Sequence, residues 1–493
     1  SSWPSRCSTT TTTSSASAAA PSRTSASPTS SNASSTRTSP PRPVGPGSRR
    51  CTTASTCTAA ARAAARRGEG RRRRRGAVLR RGRRRTGAPA AARVACGAVP
   101  SVLLTPQRRE LVERVAALGP AIAERSPRYD RDASFPHENW ADLADAGFLG
   151  LCVPVDAGGL GADFAGYALV SEELGRHCAA TALTFNMHTA TALLAGQISD
   201  LLDPDAEMQA HLDRVRPQLW HGMAVDRLIH SQPFSEGKPV GERRTFSTVA
   251  VPVDDGYLVS GRKMFASLAG AADVHNVIAL VDGDPRLRLL GVPAHGDGVE
   301  VVGDWDPLGM RATDSRTLEL TEAFVPADHE ILPPGMFDRM IQRFPFFYMS
   351  LTFTYLGLMR AVLDATRQYL RGESGAPAGR DHPVKQAGWA QMQVMFDRAQ
   401  AMTHRSVDEA VPDPTPAQLR RAQTATVVTM DGAVEMASLA IRVCGGRSML
   451  RPSRLEQHYR DARCGATMLP WSVEECLARL GRAGLYDEDP PAA

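Results

Sequence analysis

The chain has 493 residues, of which 42% are hydrophobic, with 58 Lys and Arg against 52 Asp and Glu. That mildly basic total averages two unlike segments. Residues 1–100 hold 20 Arg and one Glu, a net of +19, leaving 38 basic against 51 acidic residues in the rest, a net of −13. The bulk of the chain is therefore acidic, which argues against nucleic acid as its partner.

Residues 1–100 are repetitive blocks of Ser, Thr, Ala, Pro and Arg without Lys. Without apolar periodicity they cannot bury enough surface to offset the entropy of ordering, so they are expected to be disordered. An Arg-rich, acid-poor leader resembles a transit peptide, which would imply a mitochondrial location. The run Arg71–Arg75 would alternatively suit nucleic acid or an anionic surface through charge alone. The favoured expectation is a segment extraneous to the natural protein: it starts without Met, uses residue types with GC-rich codons, and yields abruptly to ordinary sequence near Val102. No functional reading rests on it.

Residues 101–493 are long enough for a sizeable core. No apolar run in them is expected to approach the ~20 residues of a membrane span. Their five cysteines, Cys152, Cys178, Cys444, Cys464 and Cys476, are scattered without CxxC spacing, and the histidines show no HExxH. Reduced thiols, a cytoplasmic location and no metal are expected.

In chain order, Leu111, Val115, Leu118 and Ile122 mark one face of a first helix. A second begins at Pro136 and ends near Gly147, with Trp140 and Leu143 inward. Tyr167 to Ala195 reads as a helical region rich in Ala and Leu. The period then changes: Thr248–Val253 and Tyr257–Ser260 flank Asp254-Asp255-Gly256, a hairpin signal. Further strands are expected at Val277–Val281, Leu287–Val292 and Thr317–Leu320. Helical patterns return after Pro334 and break at Pro412-Asp413-Pro414-Thr415-Pro416. Ser472 and Glu475 are placed to form a capping box for a last helix. Segregated helices, strands and helices predict an α+β fold and argue against a doubly wound sheet.

Five stretches in this order carry a family resemblance. They are Phe135–Arg176 with its Gly158-Gly159-x-Gly161 turn, Asp255–Val274, Leu308–Asp328, Tyr355–Leu370, and Val443–Ser472 with Gly445-Gly446 and Arg460-Asp461-Ala462-Arg463. Together they resemble the acyl-CoA dehydrogenases. The resemblance implies an N-terminal helical domain (101–221), a central β domain (222–334) and a C-terminal helical bundle (335–486), followed by a short tail (487–493). It also implies FAD and a homo-oligomer, a tetramer by the family pattern.

The same resemblance suggests which residues meet the cofactor. A flavin needs a flat slot and hydrogen-bonding groups along its edge and at N5. Within "HSQPFSEG", Ser231 takes the position beside the pyrimidine edge, and Ser235 or Gly237 the position at the pyrophosphate. Phe265 takes the place of the aromatic against the ring system and Ser267 the place at N5. Gly445 and Gly446 match the pair that approaches a neighbouring subunit's FAD, and Arg442, in place of a glutamine, is a candidate pyrophosphate contact. Each has a bland alternative: Phe265 as a core aromatic, the serines as turn residues, Gly445-Gly446 as a helix stop. His188 and His230 are weak candidates for a base, because a lone histidine is more often structural. Asp461 and Arg463 are expected to form a structural ion pair.

Two departures bear on chemistry. In the family a glutamate removes the α-proton of an acyl thioester as hydride leaves for the flavin; here its position falls on Leu469, followed by Pro470 and Trp471. The alternative family position falls on Phe347. A hydrocarbon accepts no proton, so fold and chemistry separate at this point. Trp471 is read either as filling the acyl-chain space or as core. The family's RxxFG segment is absent from Tyr369–Gln386. Three readings follow: oxidation of an acyl-CoA with a non-standard base and an electron-transfer protein as acceptor; an oxygen-using flavin monooxygenase or N-hydroxylase served by a flavin reductase; or a non-catalytic subunit that binds flavin or acyl-CoA.

Overall fold

A computed structural model describes residues 103–237, 246–375, 378–451 and 453–486. The expectations for residues 1–100 and 487–493 lie outside the described residues.

The first helices are α1 (Pro106–Asp132), α2 (His137–Asp145), α3 (Phe164–His177), α4 (Ala179–Leu193), α5 (Ser199–Leu201) and α6 (Ala206–Ala224). Their starts follow from the side chains that satisfy the first free N–H groups. Thr105 accepts from Arg108 N before α1, Asp163 from Gly166 N before α3, and Asp205 from Met208 N before α6. Leu111, Val115 and Ile122 of α1 are buried as the periodicity predicts, while Leu118 is only half-buried. Pro136 stands one residue before α2, as its cap position. Helix α6 was not expected, because its charged residues obscure the apolar stripe of Leu212, Val215 and Leu219.

The β-rich middle forms strands β1 (His230–Ser231), β2 (Val249–Val253), β3 (Gly256–Ala266), β4 (Val274–Val281), β5 (Asp284–Pro293), β6 (Val299–Val302), β7 (Arg316–Pro326) and β8 (Glu330–Leu332). They make one sheet in the order β6-β7-β3-β2-β4-β5-β8, with β1 parallel to β4. The Asp254-Asp255-Gly256 hairpin joins β2 to β3 in the register Val249↔Ser260 through Val253↔Gly256.

The last helices are α7 (Met336–Arg343), α8 (Ser350–Arg371), α9 (Pro383–Asp408), α10 (Pro416–Cys444), α11 (Arg454–Cys464) and α12 (Val473–Leu485). The proline cluster separates α9 from α10, and Thr415 and Gln418 cap α10 reciprocally. At α12 only half of the expected box forms: Ser472 accepts from Glu475 N, while the Glu475 carboxylate takes Arg479 instead. The stretch Pro345–Arg371 corrects the expectation about membrane spans. It is long and apolar enough to cross a bilayer by length and composition, but 78% of its apolar window is buried inside the protein, as in a core helix.

Helix α8 reaches that depth by crossing α3 at two glycines. A Cβ on Gly357 would sit 2.0 Å from the Glu172 carbonyl oxygen, and one on Gly175 would sit 2.5 Å from the Thr354 carbonyl oxygen. The two backbones touch only because both side chains are absent. This close crossing unites the first and last helical groups in one apolar core. A second core belongs to the sheet, around Val259, Val277, Leu290 and Leu318. The functional site lies where these units meet.

Candidate functional site

One cavity of about 380 Å³ draws its walls from all three parts of the chain. Tyr167, Leu183 and Met187 come from the first helices; Phe337, Phe347, Tyr348, Leu351 and Leu469 come from the last. The sheet and its loops contribute Gln232, Ser235, Phe265, Ser267, Asn276 and Trp305, with Thr313 and Ser315 beside them. Among the described residues, no Asp, Glu, His, Lys or Arg lines this cavity. Its ionisable groups are Tyr167, Tyr348 and Cys464. Burial pushes both phenols well above their ordinary range and the thiol up to about 11, so all three are neutral at physiological pH.

Phe265 and Ser267 face the cavity because β3 ends irregularly. The β3–β7 register slips between Lys263 and Ala266, and Phe265 and Leu268 both adopt positive φ, +53° and +70°. Such backbone is strained for residues with side chains and persists only where the surroundings enforce it. Its effect is to leave Phe265 65% exposed, the Trp305 ring meeting it edge-on at 6.4 Å. Leu268 N and Ala269 N then donate to the Thr313 and Asp314 carbonyls, pinning the Ser267 loop to the start of β7.

The loop 231–237 forms the adjoining part of the wall. Met264 N donates to the Ser235 carbonyl at 2.7 Å, and Gly237, φ +73°, passes so close to Met264 that a Cβ would meet its sulfur at 2.7 Å. Ser235 lines the cavity; Gly237 does not. Between them Glu236 turns inward to Lys263, 2.6 Å away, with both side chains almost wholly buried. Lys263 also donates to the Ile278 carbonyl at 2.8 Å, and Glu236 accepts from Thr248 Oγ1 at 2.7 Å and from Ser247 N and Oγ. Burial opposes ionisation of Glu236, but the Lys263 ammonium and the hydroxyl donors outweigh it and hold the carboxyl at about 2.

Other sequence candidates lie elsewhere. The Ser231 hydroxyl meets His275 Nδ1 at 2.7 Å, wholly buried and outside the cavity lining; the cavity-facing residue of this loop is its neighbour Gln232. His188 and His230 lie behind the wall. His188 Nε2 faces the Leu149 carbonyl at 2.8 Å, and its Nδ1 accepts from His230 N at 3.1 Å. One nitrogen must donate and the other accept, so this network assigns a neutral ring. Burial lowers the two imidazoles to about 4 and about 3. Neither reaches the cavity, and neither is placed to act as its base. His230 Nδ1 instead meets Asn276 Oδ1, whose amide donates to Thr191 Oγ1 at 2.6 Å, as Gln232 does at 3.0 Å. Gln232 and Asn276 thus form an uncharged polar patch tied to Thr191 in a largely apolar wall.

Gly445 ends α10, donating to the Ile441 carbonyl at 2.8 Å; neither it nor Gly446 nor the exposed Arg442 lines the cavity. Trp471 is buried in the core against Tyr348 and does not line the cavity either. The expected Asp461–Arg463 pair is replaced. Arg460 binds Asp130, 330 positions away, and Glu456, while Asp461 accepts from Met310 N at 2.6 Å and Arg463 is exposed. Burial raises Asp461 to about 7 against the opposing Met310 hydrogen bond.

Gln232, Asn276, Trp305, Thr313 and Ser315 were not singled out from the sequence. A signal existed for Asn276: His275 and Asn276 interrupt an otherwise apolar run, Val274 to Val281. Polar side chains inside a buried strand need partners and so mark a built site.

Residues 105–199 match the acyl-CoA dehydrogenase N-terminal domain, and residues 337–468 match the acyl-CoA dehydrogenase C-terminal domain. With the helix–sheet–helix architecture between and around them, the chain belongs to the acyl-CoA dehydrogenase family. It is 24% identical over 369 residues to the putative acyl-CoA dehydrogenase YdbM of Bacillus subtilis, covering 73% of this chain and 92% of that protein. It is 26% identical over 413 residues to an L-evernosamine nitrososynthase of a Micromonospora strain, covering 78% and 92%. The FMN-bound structure of TdsC from Paenibacillus sp. A11-2 superposes with a TM-score of 0.65 at 22% identity, covering 78% of this chain and 99% of TdsC.

Proposed function

We propose that the protein is a flavin-dependent monooxygenase acting on an uncharged, largely apolar substrate, with FMN as its flavin. The observation that carries this reading is the cavity lining, which among the described residues contains no carboxylate, imidazole or amine. Acyl-CoA dehydrogenation needs a carboxylate beside the α-carbon, and both positions where the family supplies one are hydrocarbon, Leu469 and Phe347. Oxygenation makes no such demand. Reduced flavin, dioxygen and substrate give oxidised flavin, the substrate with one added oxygen atom, and water; the flavin brings both electrons and both protons.

The chain's own residues supply the slot and the shelter. Phe265 offers an exposed aromatic face, Ser267 and Ser235 offer hydroxyls, and Gln232 offers an amide on the same wall, which together fit a flat, polar-edged ring system. A flavin bound there supplies the electrons that activate dioxygen. Phe347, Tyr348, Leu351 and Leu469 keep water from the reacting region. FMN is preferred to FAD because the family's RxxFG segment and the glutamine ahead of Gly445-Gly446 are both missing. TdsC, described as a dibenzothiophene monooxygenase and also solved with indole, supports the same direction, as does the nitrososynthase relative.

The test uses the full chain with FMN, an NADH-dependent flavin reductase and indole under labelled dioxygen, and separately with acyl-CoAs of several lengths without oxygen. Incorporation of one labelled oxygen atom is the expected result, with no anaerobic bleaching. Rapid anaerobic bleaching by any acyl-CoA would overturn the proposal and restore thioester oxidation through a base outside the known positions.

A further inference from the structure

Three hydroxyls in the cavity wall form a chain that ends on a backbone carbonyl. Thr313 Oγ1 donates to the Met310 carbonyl at 2.8 Å. Ser315 Oγ lies 2.7 Å from Thr313 Oγ1, and Ser267 Oγ lies 2.8 Å from Ser315 Oγ. All three residues line the cavity and are at most 9% exposed. A carbonyl oxygen can only accept, so the single Thr313 hydroxyl hydrogen is committed to Met310. Ser315 must then give its hydrogen to Thr313, and Ser267 must give its hydrogen to Ser315. What Ser267 has left for the cavity is a pair of lone pairs.

The chain cannot easily run backwards. Reversal would strip Thr313 of its bond to Met310, a residue held from its other side by Met310 N donating to the buried Asp461. The backbone is locked as well, through Leu268 N to the Thr313 carbonyl at 3.0 Å and Thr313 N to the Met310 carbonyl at 3.2 Å.

We infer that Thr313 and Ser315 act as positioning residues that set Ser267 as a hydrogen-bond acceptor, so that the site favours the two-electron-reduced flavin over the oxidised one. The inference rests on the proposed reading that Ser267 meets the flavin at N5. Reduced flavin carries an N–H there and satisfies the waiting acceptor. Oxidised flavin carries a bare lone pair, which would face another lone pair unless the relay were broken. An enzyme that receives its flavin already reduced, from a separate reductase, gains from that bias.

The test measures the dissociation constants of oxidised and dithionite-reduced FMN, and of FAD in parallel, for the full chain and five variants. Ser315→Ala and Thr313→Val each free the Ser267 hydrogen to point into the cavity. Each should lower the ratio of oxidised to reduced dissociation constants by roughly three- to tenfold, the scale of one hydrogen bond. The midpoint potential of the bound flavin should fall accordingly, a tenfold change corresponding to about 30 mV for two electrons. Ser315→Thr and Thr313→Ser keep the relay and should keep the ratio. If Ser267→Ala weakens reduced-flavin binding but Ser315→Ala and Thr313→Val retain the wild-type ratio, the relay is overturned while the flavin site stands. If Ser267→Ala changes neither constant, the placement of Ser267 itself is wrong, and the relay inference falls with it.

Discussion

Ser235 lines the cavity with a neutral hydroxyl; the next residue, Glu236, turns away from it and pairs with Lys263. The same contrast recurs around the site. Met310 is a cavity residue whose amide is held from behind by Asp461, and near it Arg460 clasps Asp130 and Glu456. Charge is plentiful one layer behind the wall and, among the described residues, absent from the lining. Charged groups are therefore used to fix the wall's shape, while the described lining offers apolar contact, hydroxyls, amides and one neutral thiol. In a base-dependent enzyme of this family the carboxylate belongs to the inner layer.

The most damaging way to break this division is to unpair its deepest charges. Lys263→Met leaves the Glu236 carboxylate buried without its cation and should cost about 3–5 kcal/mol in denaturant unfolding. Adding Glu236→Gln to that variant should recover much of the loss. The pair also fixes an acid response. Because the folded state holds Glu236 at about 2, below its ordinary 4.5, the stabilisation is present above about pH 4.5 and disappears as pH falls toward 2. Glu236→Gln should flatten that part of the stability curve.

Next in size is moving a charge into the lining. Leu469→Glu places a carboxyl among apolar neighbours, should raise its pKa and should lower stability by about 3 kcal/mol. If the cavity still admits thioesters, the variant should also gain anaerobic flavin reduction by an acyl-CoA. A folded, flavin-loaded variant indifferent to all acyl-CoAs would deepen the separation from the dehydrogenases.

The smallest effect sharpens the comparison from behind the wall. Asp461 is raised from 3.8 to about 7, so between those values the folded protein holds a proton that the unfolded chain has lost. Its contribution to stability is therefore greatest at low pH and declines as pH rises through that window. Asp461→Asn should be close to neutral at pH 4 and increasingly stabilising as pH rises toward 8, read as a pH-dependent difference in melting temperature.

Much of the fold was legible because it is written locally. The Asp-Asp-Gly turn sets the β2–β3 register, the proline cluster separates α9 from α10, and capping side chains start five of the described helices. Phe265, Ser267, Phe347 and Leu469, taken from the family resemblance, all reach one cavity. Ser231 does not line it: on extended backbone neighbouring side chains face opposite ways, and the Ser231 hydroxyl turns to His275. Gln232 occupies the wall instead. The Arg460–Asp130 pair and the Ser267–Ser315 contact join residues distant in sequence, and no local pattern announces them.

The close crossing of α3 and α8 has a consequence for how this scaffold diversifies. Gly175 and Gly357 weld the two helical groups together at backbone level, so the frame tolerates almost no change there. Tyr167 and Leu351, on the same two helices, project into the cavity and carry no charge that a distant partner must balance. New substrate ranges are thus reachable by exchanging a few apolar side chains, one at a time, on a frame that stays put. Directed evolution of this protein should accumulate its useful changes at those lining positions and almost none at the two glycines.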